Sequence, residues 1–174
     1  MIKNFKRITA LLLVLAMVFS LCACGKKESG YYEDVPTDVN IEASITVFAP
    51  VDSILAVATI INHYHSQAPG VEVKVNYDNA ATLASKLEAG EECDIFVSDD
   101  PAVVERLAGK LDANTKKDIF SCKTEIDGAE VTKNFTFALT STCQNTNAAN
   151  ALVDFFKTQN AKDVYTEFEY TFIE

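Results

Sequence analysis

The sequence predicts an α/β fold in which helices cover both faces of a mainly parallel sheet, so that one lobe has three layers. Two observations predict this fold. Apolar strand patterns and amphipathic helix patterns alternate three times between residues 44 and 107, and a polar turn that can begin a helix follows each strand. Such alternation is typical of parallel strands joined by right-handed crossovers. Residues 44–174 are long enough for one domain.

The first β-α unit begins at Ile45. Its strand is the apolar run ITVFA, and Asp52 or Ser53 can cap the helix that follows. Apolar residues at helical spacing continue to Tyr64 and predict a broad buried face.

Two more units follow. Residues 71–77, VEVKVNY, alternate between apolar and polar side chains and predict a strand. The next helix should end near Gly90. The run DIFVS at 94–98 predicts the third strand, after which Asp100 is expected to be an N-cap with Pro101 at the first helical position.

The second half of the domain has a weaker pattern. Apolar and β-branched runs between residues 118 and 142 break at Asp127-Gly128, which predicts a hairpin turn. Two helices, at about 147–157 and 161–168, are expected to close the chain.

The N-terminus has the pattern of a secretory signal. Residues 1–23 contain a basic start and an uncharged apolar run that is short for a membrane span. The segment LCACG at 21–25 resembles the bacterial lipobox, which implies cleavage before Cys24 and acylation of its thiol. Residues 24–43 are then a flexible tether. We expect a lipid-anchored protein on the extracytoplasmic face of the cell membrane, the alternative being an ordinary secretory signal with a chance cysteine.

Charge and cysteine usage exclude some classes. A net charge of -10 argues against a nucleic-acid partner. The three cysteines beyond Cys24 are an odd number, so one intrachain disulfide is the most that can form. Cys122 and Cys143 are the predicted pair if a bridge exists, because both lie on predicted strands that could be neighbours. The alternative is that Cys93 and this pair are all free thiols. No spacing suggests zinc.

The carboxyl ends of the predicted strands are where an open parallel sheet binds ligands. Asp52, Asp78 and Asp99 follow the three strands. Helix N-termini at this edge favour an oxyanion, whereas the three carboxylates favour a weak divalent-cation site. A third reading is that the aspartates only cap helices. No motif of a hydrolase, P-loop or metalloprotease is present, so neither an enzyme nor a cofactor is expected.

Four segments carry a resemblance to a known family. They are ITVFAPVDS at 45–53, TLASKLEAG at 82–90, CDIFVSDDP at 93–101 and ANALVDFFKTQNAKDVYTEF at 149–168. In these the sequence resembles the substrate-binding proteins of molybdate and tungstate ABC transporters. The resemblance implies a type II periplasmic-binding-protein fold, a small oxyanion ligand and an ABC permease as partner.

Two departures from that family predict altered binding. The family clamps its oxyanion between two lobes, but the chain between the third unit and the last strand is too short for a second lobe, and Asp127-Gly128 marks the shortcut. Two family serines align with Asp52 and Ala80, which lack a hydroxyl donor. We expect a divergent solute-binding protein with weak or altered ligand binding, or else a non-transport surface interaction module. The candidate ligand-binding residues are Asp52, Ser53, Asn79, Ala80, Thr82 and Asp99.

Overall fold

The computed structural model describes residues 42–173, and the predicted signal peptide, Cys24 and nearly all of the predicted tether lie outside them. The strands are β1 (Ala43–Pro50), β2 (Val71–Asp78), β3 (Ile95–Ser98), β4 (Lys117–Ile126), β5 (Ala129–Leu139) and β6 (Thr171–Phe172). The helices are α1 (Ile54–Gln67), α2 (Ala80–Glu88), α3 (Pro101–Arg106), α4 (Thr146–Phe155) and α5 (Gln159–Glu167), and a short 3-10 turn at Val51–Ser53 precedes α1. Among these residues, no helix has the length and apolar character needed to cross a membrane.

The six strands form one open sheet in the order β2-β1-β3-β5-β4-β6. The first three strands are parallel neighbours, as the β-α alternation predicted. β5 is antiparallel to β3 and β4 is antiparallel to β5, so β4 runs in the same direction as β1, β2 and β3. The α/β class and the parallel part of the sheet are confirmed. The second half of the sheet is antiparallel because a tight hairpin joins β4 to β5.

Two apolar cores lie on opposite faces of the sheet and make three layers. Alternate residues of one strand enter different cores: Val47 packs with α1, α4 and α5, whereas Phe48 packs with α2 and α3. Phe120 stacks on Phe135 and Tyr165 within the larger core. This arrangement follows from the period-2 alternation of strand side chains.

The β4–β5 hairpin extends beyond the rest of the sheet. Its turn is Asp127-Gly128, where both residues have positive φ, 52° and 81°, as a two-residue type I′ turn requires. β5 pairs with β3 only from Thr136 to Leu139, so residues 129–135 continue past the carboxyl end of β3 with β4 as their partner. The hairpin turn predicted at this position is confirmed.

The three cysteines of the described region are free thiols. The predicted Cys122–Cys143 disulfide is therefore absent. Cys122 lies opposite Lys133 on the hairpin, near the carboxyl ends of β1 and β3. Cys143 lies beside Asp94, which precedes β3 at the opposite edge of the sheet. Cys122 lies within β4, whereas Cys143 follows the end of β5 by four residues and is not on a strand, so the predicted strand adjacency does not bring the two thiols together.

Candidate functional site

A lysine joins two of the predicted aspartates at the carboxyl edge of the sheet. Lys133 Nζ lies 2.9 Å from Asp52 Oδ2 and 2.9 Å from Asp99 Oδ2. Asp52 belongs to the 3-10 turn after β1, and Asp99 directly follows β3. The three side chains, which we call the Asp-Lys-Asp cluster, carry a formal charge of −1 at neutral pH.

The sheet register explains why Lys133 reaches this edge. Thr136 of β5 lies opposite Ser98, the last residue of β3, and the strands are antiparallel. Lys133 comes three residues before Thr136 and therefore lies beyond the end of β3, within reach of the loops that carry both aspartates.

The cluster is held firmly and remains charged. Hydrogen bonds to Asp52 and Asp99 raise the pKa of Lys133 above that of a free lysine. The Asp99 side chain is only 12% exposed, while that of Asp52 is 51% exposed. The Tyr170 hydroxyl donates to the backbone oxygen of Asp52 at 2.5 Å, which fixes the 3-10 turn from the other side.

Ser53 does not face a ligand site. Its side chain is completely buried, and its hydroxyl donates to the backbone oxygen of Pro50 at 2.7 Å. Ser53 takes the N-cap position of α1 but makes no capping hydrogen bond, and Asp52 does not cap the helix either. The predicted cap at these residues is wrong, because the 3-10 turn directs one side chain inward and the other toward Lys133.

The candidates after β2 form a helix start that is separate from the cluster. Asn79 accepts a hydrogen bond from the backbone N–H of Thr82 and caps α2. Ala80 is buried in the core under that helix. Asp78 pairs with Lys86 at 3.1 Å, and the Asn79 N–H together with the Lys86 ammonium lowers the pKa of Asp78.

The three aspartates do not form the alternative cation site. Asp78 is held by its own lysine, and Lys133 occupies the space between Asp52 and Asp99. Within residues 42–173, no three histidine, cysteine or acidic side chains are arranged to hold a metal ion. Asp100, by contrast, caps α3 as predicted, since its carboxylate accepts from the Ala102 N–H at 2.9 Å.

The sequence did not predict Lys133 as a site residue, because its position depends on pairing between strands that are distant in the chain. A local signal does exist in the alternation of β5. Val131, Lys133, Phe135 and Phe137 point to one face, and the two phenylalanines are fully buried there. A lysine on the core-facing side of a strand indicates a carboxylate partner nearby.

Comparison with known proteins gives a family match over part of the chain and a shared fold. Residues 45–122 match the family described as bacterial extracellular solute-binding protein. The match covers β1 to the first half of β4 and includes Asp52 and Asp99 but not Lys133. Comparison with curated proteins gives no match.

Three solved structures share the fold. A substrate-binding domain from Clostridium difficile, ascribed to a molybdenum ABC transporter, has a TM-score of 0.66 at 13% identity, covering 76% of this chain and 100% of the other. The periplasmic molybdate-binding protein of Azotobacter vinelandii has a TM-score of 0.65 at 8% identity, covering 75% of this chain and 100% of the other. The sulfate-binding protein SubI of Mycobacterium tuberculosis has a TM-score of 0.60 at 12% identity, covering 74% of this chain and 86% of the other.

These TM-scores show a common fold, and the family match adds sequence similarity over the first α/β half. The matched family consists of solute-binding proteins rather than enzymes. The carboxyl edge that carries the Asp-Lys-Asp cluster is the edge at which open α/β sheets bind ligands. Residues 45–122 are thus similar in sequence to the bacterial extracellular solute-binding proteins, and the described residues share the fold of the molybdate- and sulfate-binding proteins compared above.

Proposed function

We propose that the chain is a lipid-anchored, extracytoplasmic solute-binding protein related to oxyanion uptake by ABC transporters, in which the Asp-Lys-Asp cluster weakens or alters anion binding. The names of its structural relatives, which bind molybdate or sulfate, support the oxyanion class. An ABC permease is the expected partner. The observation that carries the proposal is the position of Lys133 Nζ, 2.9 Å from both Asp52 and Asp99.

The cluster opposes an oxyanion because its only cation is already neutralised. Two like unit charges 4 Å apart repel by roughly 4 kcal/mol in the effective dielectric near a protein surface. A dianion at this edge would meet two carboxylates and one lysine that is committed to them. The Ser53 hydroxyl is used by Pro50, and Ala80 has no donor.

Removing the carboxylates should release Lys133 to bind an anion. We expect Asp52→Asn combined with Asp99→Asn to bind molybdate or sulfate at least about tenfold more tightly than the unmodified chain. Isothermal titration with molybdate, tungstate, sulfate and calcium measures this. Glu72→Gln with Glu130→Gln is the matched control, since it removes two carboxylates from exposed lysine pairs elsewhere.

The results of these titrations distinguish weakened oxyanion binding from intact oxyanion binding and from cation binding. Micromolar oxyanion binding by the unmodified chain would show that the cluster does not weaken the site. Failure of the double variant to bind any oxyanion would refute the relation to oxyanion uptake. Calcium binding by the unmodified chain that is lost in Asp52→Asn would support a divalent-cation site at Asp52 instead.

Lipid anchoring rests on the sequence around Cys24. We expect a chain expressed with its full N-terminus to partition into detergent, and Cys24→Ser to move it to the aqueous phase. Cys22→Ser is the control, because a cysteine removed with the signal peptide cannot hold a lipid. Equal behaviour of the two variants would refute acylation at Cys24.

A second candidate function is a surface interaction module without transport. Exposed apolar side chains at the hairpin tip, Ile126 and Val131, and near the start of α1 favour it. The latter are Val51, Ile54 and Leu55. Such clustered exposure is unusual for a surface without a partner.

A photo-crosslinking side chain at position 126 tests the two candidates in cells, with position 105 as an exposed control. A permease in the adduct supports transport. Another protein in the adduct supports the interaction module, and the absence of any adduct specific to position 126 refutes it.

A further inference from the structure

A pocket that shares no residue with the Asp-Lys-Asp cluster lies beside the start of β4. It has a volume of about 670 Å³ and is lined by Lys116, Lys117, Asp118, Ile119, Lys157, Phe172 and Ile173. β4 begins at Lys117, which pairs with Phe137, whereas Lys133 of the cluster lies four residues earlier on β5, so the pocket and the cluster lie at different positions along the β4–β5 hairpin.

Cations concentrate around this pocket although the chain has a net charge of -10. Lys116 and Lys117 are exposed and make no ion pair with any other described residue. Lys162 Nζ lies 4.3 Å from the centre of the ring of Phe172, which lines the pocket. Lys157 adds a further ammonium, which contacts Asp154.

The one carboxylate in the lining is directed away from these lysines. Asp118 Oδ1 accepts from the Thr136 hydroxyl at 2.5 Å, and its Oδ2 accepts from the Asn134 amide at 3.2 Å. Both oxygens are thus satisfied by β5. The lysines next to Asp118 remain available to another anion.

The rest of the lining is apolar. Ile119 is buried, and Phe172 and Ile173 are half-buried at the end of the described chain. Phe172 stacks on Tyr165 of α5, and the Ile173 N–H donates to the backbone oxygen of Ile119 at 2.8 Å, so the apolar wall is fixed in place. A ligand for this pocket would place a charged group at the lysines and an apolar portion against this wall.

We propose that the pocket binds an organic phosphate that carries an apolar group. Phosphate suits the lysines because ammonium groups bind it as point charges. Such a ligand has two sources, a phospholipid headgroup in the membrane or a soluble phosphate ester.

Titration of the full chain with octyl phosphate and with inorganic phosphate tests the pocket. We expect octyl phosphate to bind more tightly than inorganic phosphate, because it also buries apolar surface. Lys116→Gln with Lys117→Gln should weaken octyl phosphate binding by about tenfold. Ile173→Ala should weaken octyl phosphate binding and leave inorganic phosphate binding unchanged.

The matched control is Lys74→Gln with Lys123→Gln, which removes the same charge from two other exposed lysines. It should leave octyl phosphate binding unchanged. Absence of octyl phosphate binding in the unmodified chain, or an equal loss in the control, would overturn the proposal.

Vesicles distinguish the two sources. If the chain binds vesicles that contain phosphatidylglycerol and phosphatidylcholine but not vesicles of phosphatidylcholine alone, and the Lys116/Lys117 variant loses this binding, the source is the membrane. Octyl phosphate binding without vesicle binding assigns a soluble ester.

Discussion

Lys133 determines the chemistry of the carboxyl edge. It turns two aspartates, which alone would form an anionic surface, into a hydrogen-bonded cluster. Its aliphatic stem also lies over the larger core, on the same face of β5 as Phe135.

Replacing this lysine should destabilise the domain. We expect Lys133→Met to lower the free energy of unfolding by about 1 to 3 kcal/mol, because two carboxylates lose their charged hydrogen-bond donor and one of them is largely buried. Urea denaturation measures the change. Lys123→Met on the same hairpin, where the lysine pairs with Glu130 in solvent, should cost less than about 1 kcal/mol. Equal effects would show that the cluster contributes no special stability.

The free thiols should react slowly in the native protein. Burial raises the pKa of the Cys143 thiol to about 11, and burial also raises the pKa of Cys93 and Cys122. Because only the thiolate is alkylated, iodoacetamide labelling at neutral pH should be slow and should accelerate as the pH approaches the pKa of Cys143. Peptide mapping reads each cysteine separately, with the urea-unfolded chain as control.

Two results would contradict this account of the thiols. One is rapid labelling of native Cys143 at neutral pH. The other is a disulfide-linked peptide that contains Cys122 and Cys143.

The turn of the β4–β5 hairpin contains a glycine in a left-handed backbone conformation. Gly128 has a φ of 81°, a conformation that strains any L side chain, although a Cβ there would meet open space. Gly128→Ala should therefore lower the free energy of unfolding by about 1 kcal/mol through backbone strain alone. Gly109→Ala is the control, since that site is equally open and lacks a positive φ.

Thermal or urea denaturation of the two glycine variants measures the difference. If Gly109→Ala is as destabilising as Gly128→Ala, the strain argument is wrong.

Elements with strong local signals could be predicted from the sequence. The alternation in residues 71–77, the Asp100-Pro101 cap and the Asp127-Gly128 turn each depend on neighbouring residues and agree with the structure. The 3-10 turn that buries Ser53 has no such signal, because it is fixed by contacts from remote elements such as the Tyr170 hydroxyl. The cluster could be predicted only in part: its two aspartates follow local strand ends, but its lysine depends on the register of β5 against β3.

At the scale of the whole domain, the two cores are linked through a shared sheet. Neighbouring residues of β1 enter different cores, and β3 does the same with Ile95 and Phe96. Loss of packing on one face should therefore disturb the strands that support the other. We expect the described domain to unfold in a single cooperative transition.

Large-to-small substitutions in each core test this cooperativity. Leu152→Ala in the larger core and Leu83→Ala in the smaller one remove fully buried side chains. Each should cost about 2 to 5 kcal/mol and shift one common transition. Far-UV and near-UV circular dichroism follow backbone and aromatic packing, and separate midpoints for the two signals would show that the cores unfold independently.

The projecting hairpin also has a consequence for how this architecture accepts new sequence. Its strands leave the sheet side by side, and a two-residue turn closes them at an exposed tip. An inserted polypeptide whose own ends lie close together could replace Asp127-Gly128 without breaking the pairing of Thr136–Leu139 with β3. The hairpin tip is thus a suitable insertion site: a folded domain could be inserted there while the strands of the sheet keep their register.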